Sequence, residues 1–291
     1  DDIALSKDLM VISAPRHADV ETGDKNFGAG YVYKRNIFTG RWNREAKLQP
    51  DMTGTQYVFD SKQHFWEGSA ALVTSTGERW LLSGGERGAS DRGSKTGSAF
   101  AWKYNSGTST WEQKSGLFST KSASGRMGQR LDFVELEDAP GTLFGCSGAW
   151  SEKADQTKLA GVVYCYLKCA GTDDWTMHSK LWLADAAEED QYGNMVAMDN
   201  GVLGVGAPKR DSGEFVPTPQ DRGGVYMYNF YVAGTTTTPM PTTPVPTTPV
   251  PTTPVPTTPV PTTPVPTTPV PTTPVPTTPV PTTPVPTTPV P

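Results

Sequence analysis

The sequence predicts an all-β fold: a β-propeller-like head of four four-stranded repeats of about 63 residues, spanning 1–234, then an extended polyproline II tail spanning 235–291. Three observations predict it. Glycine-led aromatic strands recur at Gly30, Gly97, Gly161 and Gly224, spaced by 67, 64 and 63 residues; a repeat of that length made of short strands is the signature of propeller blades. Tight-turn pairs, Thr76-Gly77, Pro140-Gly141 and Asn200-Gly201, join short apolar runs as hairpins. From Pro241 to Val290 the chain is ten copies of Pro-Thr-Thr-Pro-Val, closed by Pro291.

The repeats fall at about 1–50, 64–118, 127–184 and 190–232. In the first, Leu9-Met-Val-Ile-Ser-Ala-Pro-Arg16 leads through a polar loop to Gly30-Tyr-Val-Tyr-Lys34. The second sets Ser69–Thr74 and Trp80–Glu86 before Gly97–Trp102; the third sets Gln129–Val134 and Thr142–Gly148 before Gly161–Tyr166. The fourth sets Tyr192–Met198 and Val202–Pro208 before Gly224–Tyr228. Each shows the period-two alternation of half-buried strands. A Trp-bearing strand closes the first three units, at Trp42, Trp111 and Trp175. The fourth has no such strand and runs from Tyr231-Val-Ala-Gly234 into the tail.

These residues carry a resemblance. Tyr192-Gly, Val205-Gly-Ala-Pro208 and Gly224-Val-Tyr-Met-Tyr228 resemble the FG-GAP repeat, the blade unit of integrin-α-type β-propellers, and Ser13-Ala-Pro15 with Gly30-Tyr-Val-Tyr33 is a second match. The second and third copies are degenerate, and regular spacing carries them. The resemblance covers residues 1–232 and implies a propeller in a secreted or cell-surface adhesion-type protein. The family has seven blades where four repeats stand here, so a compact ring, an open half-ring and completion by another subunit are all open. It often carries a D-x-D-x-D-G calcium loop, but the matching connections here are tight turns with only Asp138 and Asp199 nearby. Six or more oxygen ligands cannot come from them. No calcium of the family type is expected.

In the tail, proline fixes φ and removes a backbone donor, which excludes helix and sheet interiors and leaves a polyproline II rod. At about 3.1 Å per residue the repeats would extend roughly 155 Å. Pro/Thr composition reads as an O-glycosylated stalk resembling hydroxyproline-rich glycoproteins. The glycosylation candidates are Thr242, Thr243, Thr247, Thr248, Thr252 and Thr253, with Pro244, Pro246, Pro249 and Pro251 as hydroxylation-linked sites. Five residues on a three-fold helix turn each repeat by about 120° from the last, so sugars would sleeve the rod.

The formal charge is −5 and every charged residue lies at or before Arg222. The neutral tail attracts neither nucleic acid nor membrane by charge, and no apolar run is long enough to span a bilayer. The start at Asp1 without a leader is expected of a processed secreted protein. Cys146, Cys165 and Cys169 lack a fourth ligand at metal spacing, so one disulfide and one leftover thiol are expected, the pairing open.

No catalytic set assembles. His17, His64 and His178 fall at no common blade position, and Gly88–Thr96 fails as a phosphate loop because Ser94 separates Gly93 from Lys95 and a strand follows where a helix should. The alternating aromatics read as packing between blades. The charged loops 16–29, 87–96, 150–160 and 209–223 gather on one face, where propellers bind partners. The expectation is a non-enzymatic extracellular structural glycoprotein without cofactors, assembling with copies of itself and glycans into a fibre or surface coat. The alternative is a stalked cell-surface adhesin or carbohydrate-binding module.

Overall fold

The computed structural model describes residues 2–18, 28–51, 65–85, 96–118, 125–153, 159–199, 201–210 and 223–230. The chain divides into one unit, Asp1–Met240, and a second, Pro241–Pro291. All ten glycosylation candidates of the tail, and most of the four charged loops, lie outside the described residues.

Every described element is a strand. The first sheet is β1 (Ile3–Ser6), β2 (Leu9–Ala14), β3 (Ala29–Arg35) and β4 (Trp42–Leu48). The second is β5 (Gly68–Val73), β6 (Arg79–Gly85), β7 (Ser98–Asn105) and β8 (Thr110–Phe118). The third is β9 (Leu131–Glu135), β10 (Leu143–Ala149), β11 (Val162–Lys168) and β12 (Trp175–Leu181). The fourth holds β13 (Met195–Asp199), β14 (Val202–Ala207) and β15 (Gly224–Asn229), three strands among the described residues. All are antiparallel meanders in chain order. Strand β1 escapes the sequence reading because it is four residues long and turns into β2 through Lys7 at φ 51°, without the glycine or asparagine that marks such a turn.

The sheets stack in sequence order through their first strands, β1 against β5, β5 against β9 and β9 against β13. Side chains tie these strands across the seams. Asp2 Oδ2 accepts from Ser69 N at 2.9 Å and Ser6 Oγ from Val73 N at 3.0 Å. Glu135 accepts from the backbone and hydroxyl of Ser75, and Asp132 Oδ2 from Met198 N at 2.8 Å. A β-bulge recurs at one position in the three four-stranded sheets, between Val32 and Tyr33, Ala101 and Trp102, and Cys165 and Tyr166. A bulge re-aims the strand and deepens its twist, so repeating it gives successive sheets one shape.

Three apolar cores fill the three seams. The aromatic pairs of the third strands dominate them: Phe100 and Trp102 face the first sheet, Tyr164 and Tyr166 the second, Tyr226 and Tyr228 the third. Forward-facing residues on the same strands are small, Val32, then Ala99 and Ala101, then Val163 and Cys165. A large ring from one sheet thus enters a shallow surface on its predecessor. Burying Phe100 completely contributes about 2–3 kcal/mol.

Glycines set how closely the sheets approach. Gly28, Gly97 and Gly161 have φ of 99°, 76° and 94°, and a Cβ on them would lie 2.0–2.1 Å from the carbonyl oxygens of Phe65, Met127 and Tyr192. Those three residues open the segment entering the next sheet. Gly84 and Gly148 sit equally close to Gly128 and Gly193, where a Cβ would lie 2.1 and 1.7 Å from the carbonyl oxygens. Only hydrogen fits there.

Candidate functional site

Among the sequence-singled residues that are described, Cys146 and Cys165 are disulfide-bonded and Cys169 is free and exposed. The two bonded cysteines are directly opposed on β10 and β11, and both are buried in the seam between the third and fourth sheets. The Nδ1 of His17 shares a hydrogen bond with the Tyr31 hydroxyl at 3.2 Å, and His178 stacks edge-on against Phe144; the structure does not bring them together with a nucleophile. His64 lies outside the described residues. No group of three or more His, Cys, Asp or Glu that could hold a metal occurs among the described residues.

Three of the four loops between second and third strands are pinched alike at their bases. Gly28 N–H donates to His17 C=O, Gly161 N–H to Glu152 C=O and Gly223 N–H to Arg210 C=O, at 2.8, 2.9 and 3.1 Å. Behind the third loop, buried Glu152 accepts from the Tyr164 hydroxyl and from Lys180 Nζ at 3.1 Å. Beside the fourth, Arg210 bridges Asp185 and Asp190 at 2.6 and 2.5 Å.

A polar cleft of about 620 Å³ lies on the outer side of the second sheet, lined in part by Glu78, Lys103, Tyr104, Glu112, Lys114 and Asp173. Lys103 Nζ meets Glu78 at 2.6 Å and Asp173 at 2.8 Å, and Lys114 meets Glu112 and Asp173 at 2.8 and 3.1 Å. Partial burial works against ionised Glu78 and Asp173, but the bonds of Glu78 to Lys103 and Trp80, with the charge of Lys168, and those of Asp173 to Lys103 and Lys114 outweigh it and hold both carboxyls below the usual range. Sequence reasoning missed this network because Asp173 lies 70 residues from Lys103, and only the stacking of two sheets joins them. Its charges are mutually satisfied, so it ties sheets rather than presenting a reactive group.

The two ends of the array are different. On the first sheet, antiparallel register places Ile3, Ile12 and Tyr31 in one row and Leu5, Met10 and Tyr33 in the next. No sheet among the described residues covers that face, and Ile3 and Leu5 are 65% and 62% exposed. On the fourth sheet the outward rows are Met195, Gly206 and Val225, then Ala197, Gly204 and Met227. Met195, Val225 and Met227 are 53%, 74% and 66% exposed, above a hollow of about 840 Å³. An apolar sheet face that no described sheet covers, one at each end, is the feature of this head suited to contact with another surface.

No curated protein matches the chain. Among solved structures, it is similar to a GH93 α-L-arabinofuranosidase of Fusarium graminearum, determined in complex with arabinobiose, at 17% identity over 53% of this chain, with a TM-score of 0.33. The match spans 42% of that enzyme chain, less than half its length, and no chemistry carries over from it. The family model that matches is the FG-GAP repeat, over residues 175–228. Those residues run from β12 through β15, and the chain carries an FG-GAP repeat there.

Proposed function

We propose that this chain is an extracellular structural glycoprotein, a propeller-like head on a stiff O-glycosylated polyproline rod that assembles into a fibre or surface coat. The observation that carries the reading is the joining of the ten Pro-Thr-Thr-Pro-Val copies to a head with, at each end, an apolar face that no described sheet covers. Proline has already restricted the tail, so holding it extended costs little further entropy. The buried Cys146–Cys165 disulfide is a bond that persists in oxidising compartments, which supports secretion. No helix among the described residues is long and apolar enough to cross a membrane.

Intact mass spectrometry and electron microscopy of material from the native source test this together. The expected result is a mass well above the 31.3 kDa of the bare chain, with ordered filaments in the same sample. A bare mass with dispersed single particles would overturn the proposal and favour a stalked binding module.

A further inference from the structure

We infer that the head polymerises head-to-tail, the outer face of the fourth sheet in one copy receiving the outer face of the first sheet in the next. The inference rests on the reading of the chain as an assembling subunit and names the surfaces and polarity of that assembly.

The argument comes from the three seams inside the chain. At each, the forward face of one sheet meets the backward face of its successor, and the backward face brings two large side chains from its third strand. The first sheet has such a pair, Tyr31 and Tyr33, at the register position of Phe100 and Trp102. They stand in the rows of Ile3 and Leu5, on the uncovered face. The backward face of the first sheet is therefore a complete seam half with no described sheet before it.

The fourth sheet carries the other half. Gly206 occupies the register position of Gly84 and Gly148, the two glycines that touch the backbone of the following sheet. Gly223 has the left-handed φ, 73°, of Gly28, Gly97 and Gly161, yet the atoms nearest a Cβ there belong to Pro208 of its own sheet, the carbonyl oxygen at 3.1 Å, where the other three would strike an incoming segment at 2.0–2.1 Å. With Gly204 and Ala197 these leave the hollow of about 840 Å³, low in the middle and rimmed by Met195 and Met227. A shallow face edged by flexible methionines is suited to the large rows Ile3, Ile12, Tyr31 and Leu5, Met10, Tyr33.

The two free faces are unlike, so each fits the other better than itself. That makes the contact heterologous, and a heterologous contact propagates into a ring or a filament rather than stopping at a dimer. Propagation along one axis would leave a rod on every subunit.

The test uses the full-length chain and two variants at exposed positions, Leu5→Arg and Met227→Arg, with unchanged melting midpoints as the check on folding. Wild type is expected to form concentration-dependent oligomers in analytical ultracentrifugation. Each variant alone should associate at least ~30-fold more weakly, as a charge buried within an apolar contact demands. An equimolar mixture should recover association but stop at heterodimers, because each variant keeps one working face. Three results would overturn the inference: wild type monomeric at concentrations on the order of 100 µM, dimers formed by either variant alone, or a mixture no more associated than its parts. Failure here is separable from failure of the fibre reading. Native filaments persisting in the Leu5→Arg/Met227→Arg double variant would sink this interface alone, whereas recovered heterodimers from a chain of bare mass would sink the glycosylated rod alone.

Discussion

Gly161 shows how much of this head depends on single atoms. Its φ of 94° costs an L-residue about 1 kcal/mol, and a Cβ would also lie 2.0 Å from Tyr192 O. Gly77 shares the handedness, with φ 86°, but nothing lies within 4 Å of its Cβ position. Gly77→Ala is therefore expected to cost about 1 kcal/mol, and Gly161→Ala at least ~2 kcal/mol more, because backbone must move. Urea unfolding at constant m-value separates the two; equal losses would show that the seam can open without penalty. Both glycines are visible in the sequence as turn and strand-opening residues. That one abuts a neighbouring sheet is not, since its partner Tyr192 lies far along the chain in a segment with no mark of contact.

At the scale of elements, the strands and their order were legible and the ties between sheets were not. Alternation, Gly-led aromatic strands and hairpin turns are local signals, and they placed every described strand except the short β1. The disulfide joins β10 to β11, which already pair, and spans a sequence separation of 19. Cys146→Ala/Cys165→Ala should lower stability by about 2–4 kcal/mol, mainly by freeing the unfolded chain. Loss of less than ~1 kcal/mol in chemical unfolding would argue against that account.

The Lys103 network gives a pH dependence with a definite sign. Glu78 and Asp173 have folded-state carboxyls held below their ordinary values of 4.5 and 3.8, so the folded head binds fewer protons than the unfolded chain across that range. The stability they contribute is full above about pH 4.5 and is lost as pH falls through the depressed values. Asp132 runs the other way: burial raises its carboxyl despite bonds from Met198 and Phe133, so acid relieves a cost there. Because Glu78 and Asp173 are about one third exposed, water screens the ties. Lys103→Met is expected to cost about 1 kcal/mol near neutrality and to flatten the fall of the melting midpoint between about pH 5 and 3. An unaltered acid limb would assign that limb to other groups.

For the whole molecule, the contrast between head and tail is a contrast in cooperativity. The head has apolar seams and should melt in one transition. A tail of the proposed polyproline II form would have no internal hydrogen bonds or core to lose together. Circular dichroism of a peptide of several Pro-Thr-Thr-Pro-Val copies should therefore change linearly with temperature, without a midpoint; a sigmoidal melt would show that the rod packs on something. Four sheets stacked in order, with unlike end faces that no described sheet covers, suit the proposed propagation better than closure of each copy on itself.

The sequence by itself determined the all-β class, the repeating four-strand unit, the FG-GAP character of the last repeat and the repetitive tail. The FG-GAP character rests on the resemblance of its short motifs to that family; the others are written in periodicity, turn chemistry and composition, and all of these signals are local. It also foresaw that the aromatic pairs of the second, third and fourth repeats pack between units, but for Tyr31 and Tyr33 of the first the same expectation fails, because no described sheet precedes theirs. Only the tertiary structure decided that Cys146 pairs with Cys165, that Lys103 meets Asp173, and that Tyr31, Tyr33 and Gly206 lie on faces no described sheet covers. A strand pattern fixes which residues share a face, but whether that face meets another depends on contacts between distant segments, and nothing in the local pattern encodes them.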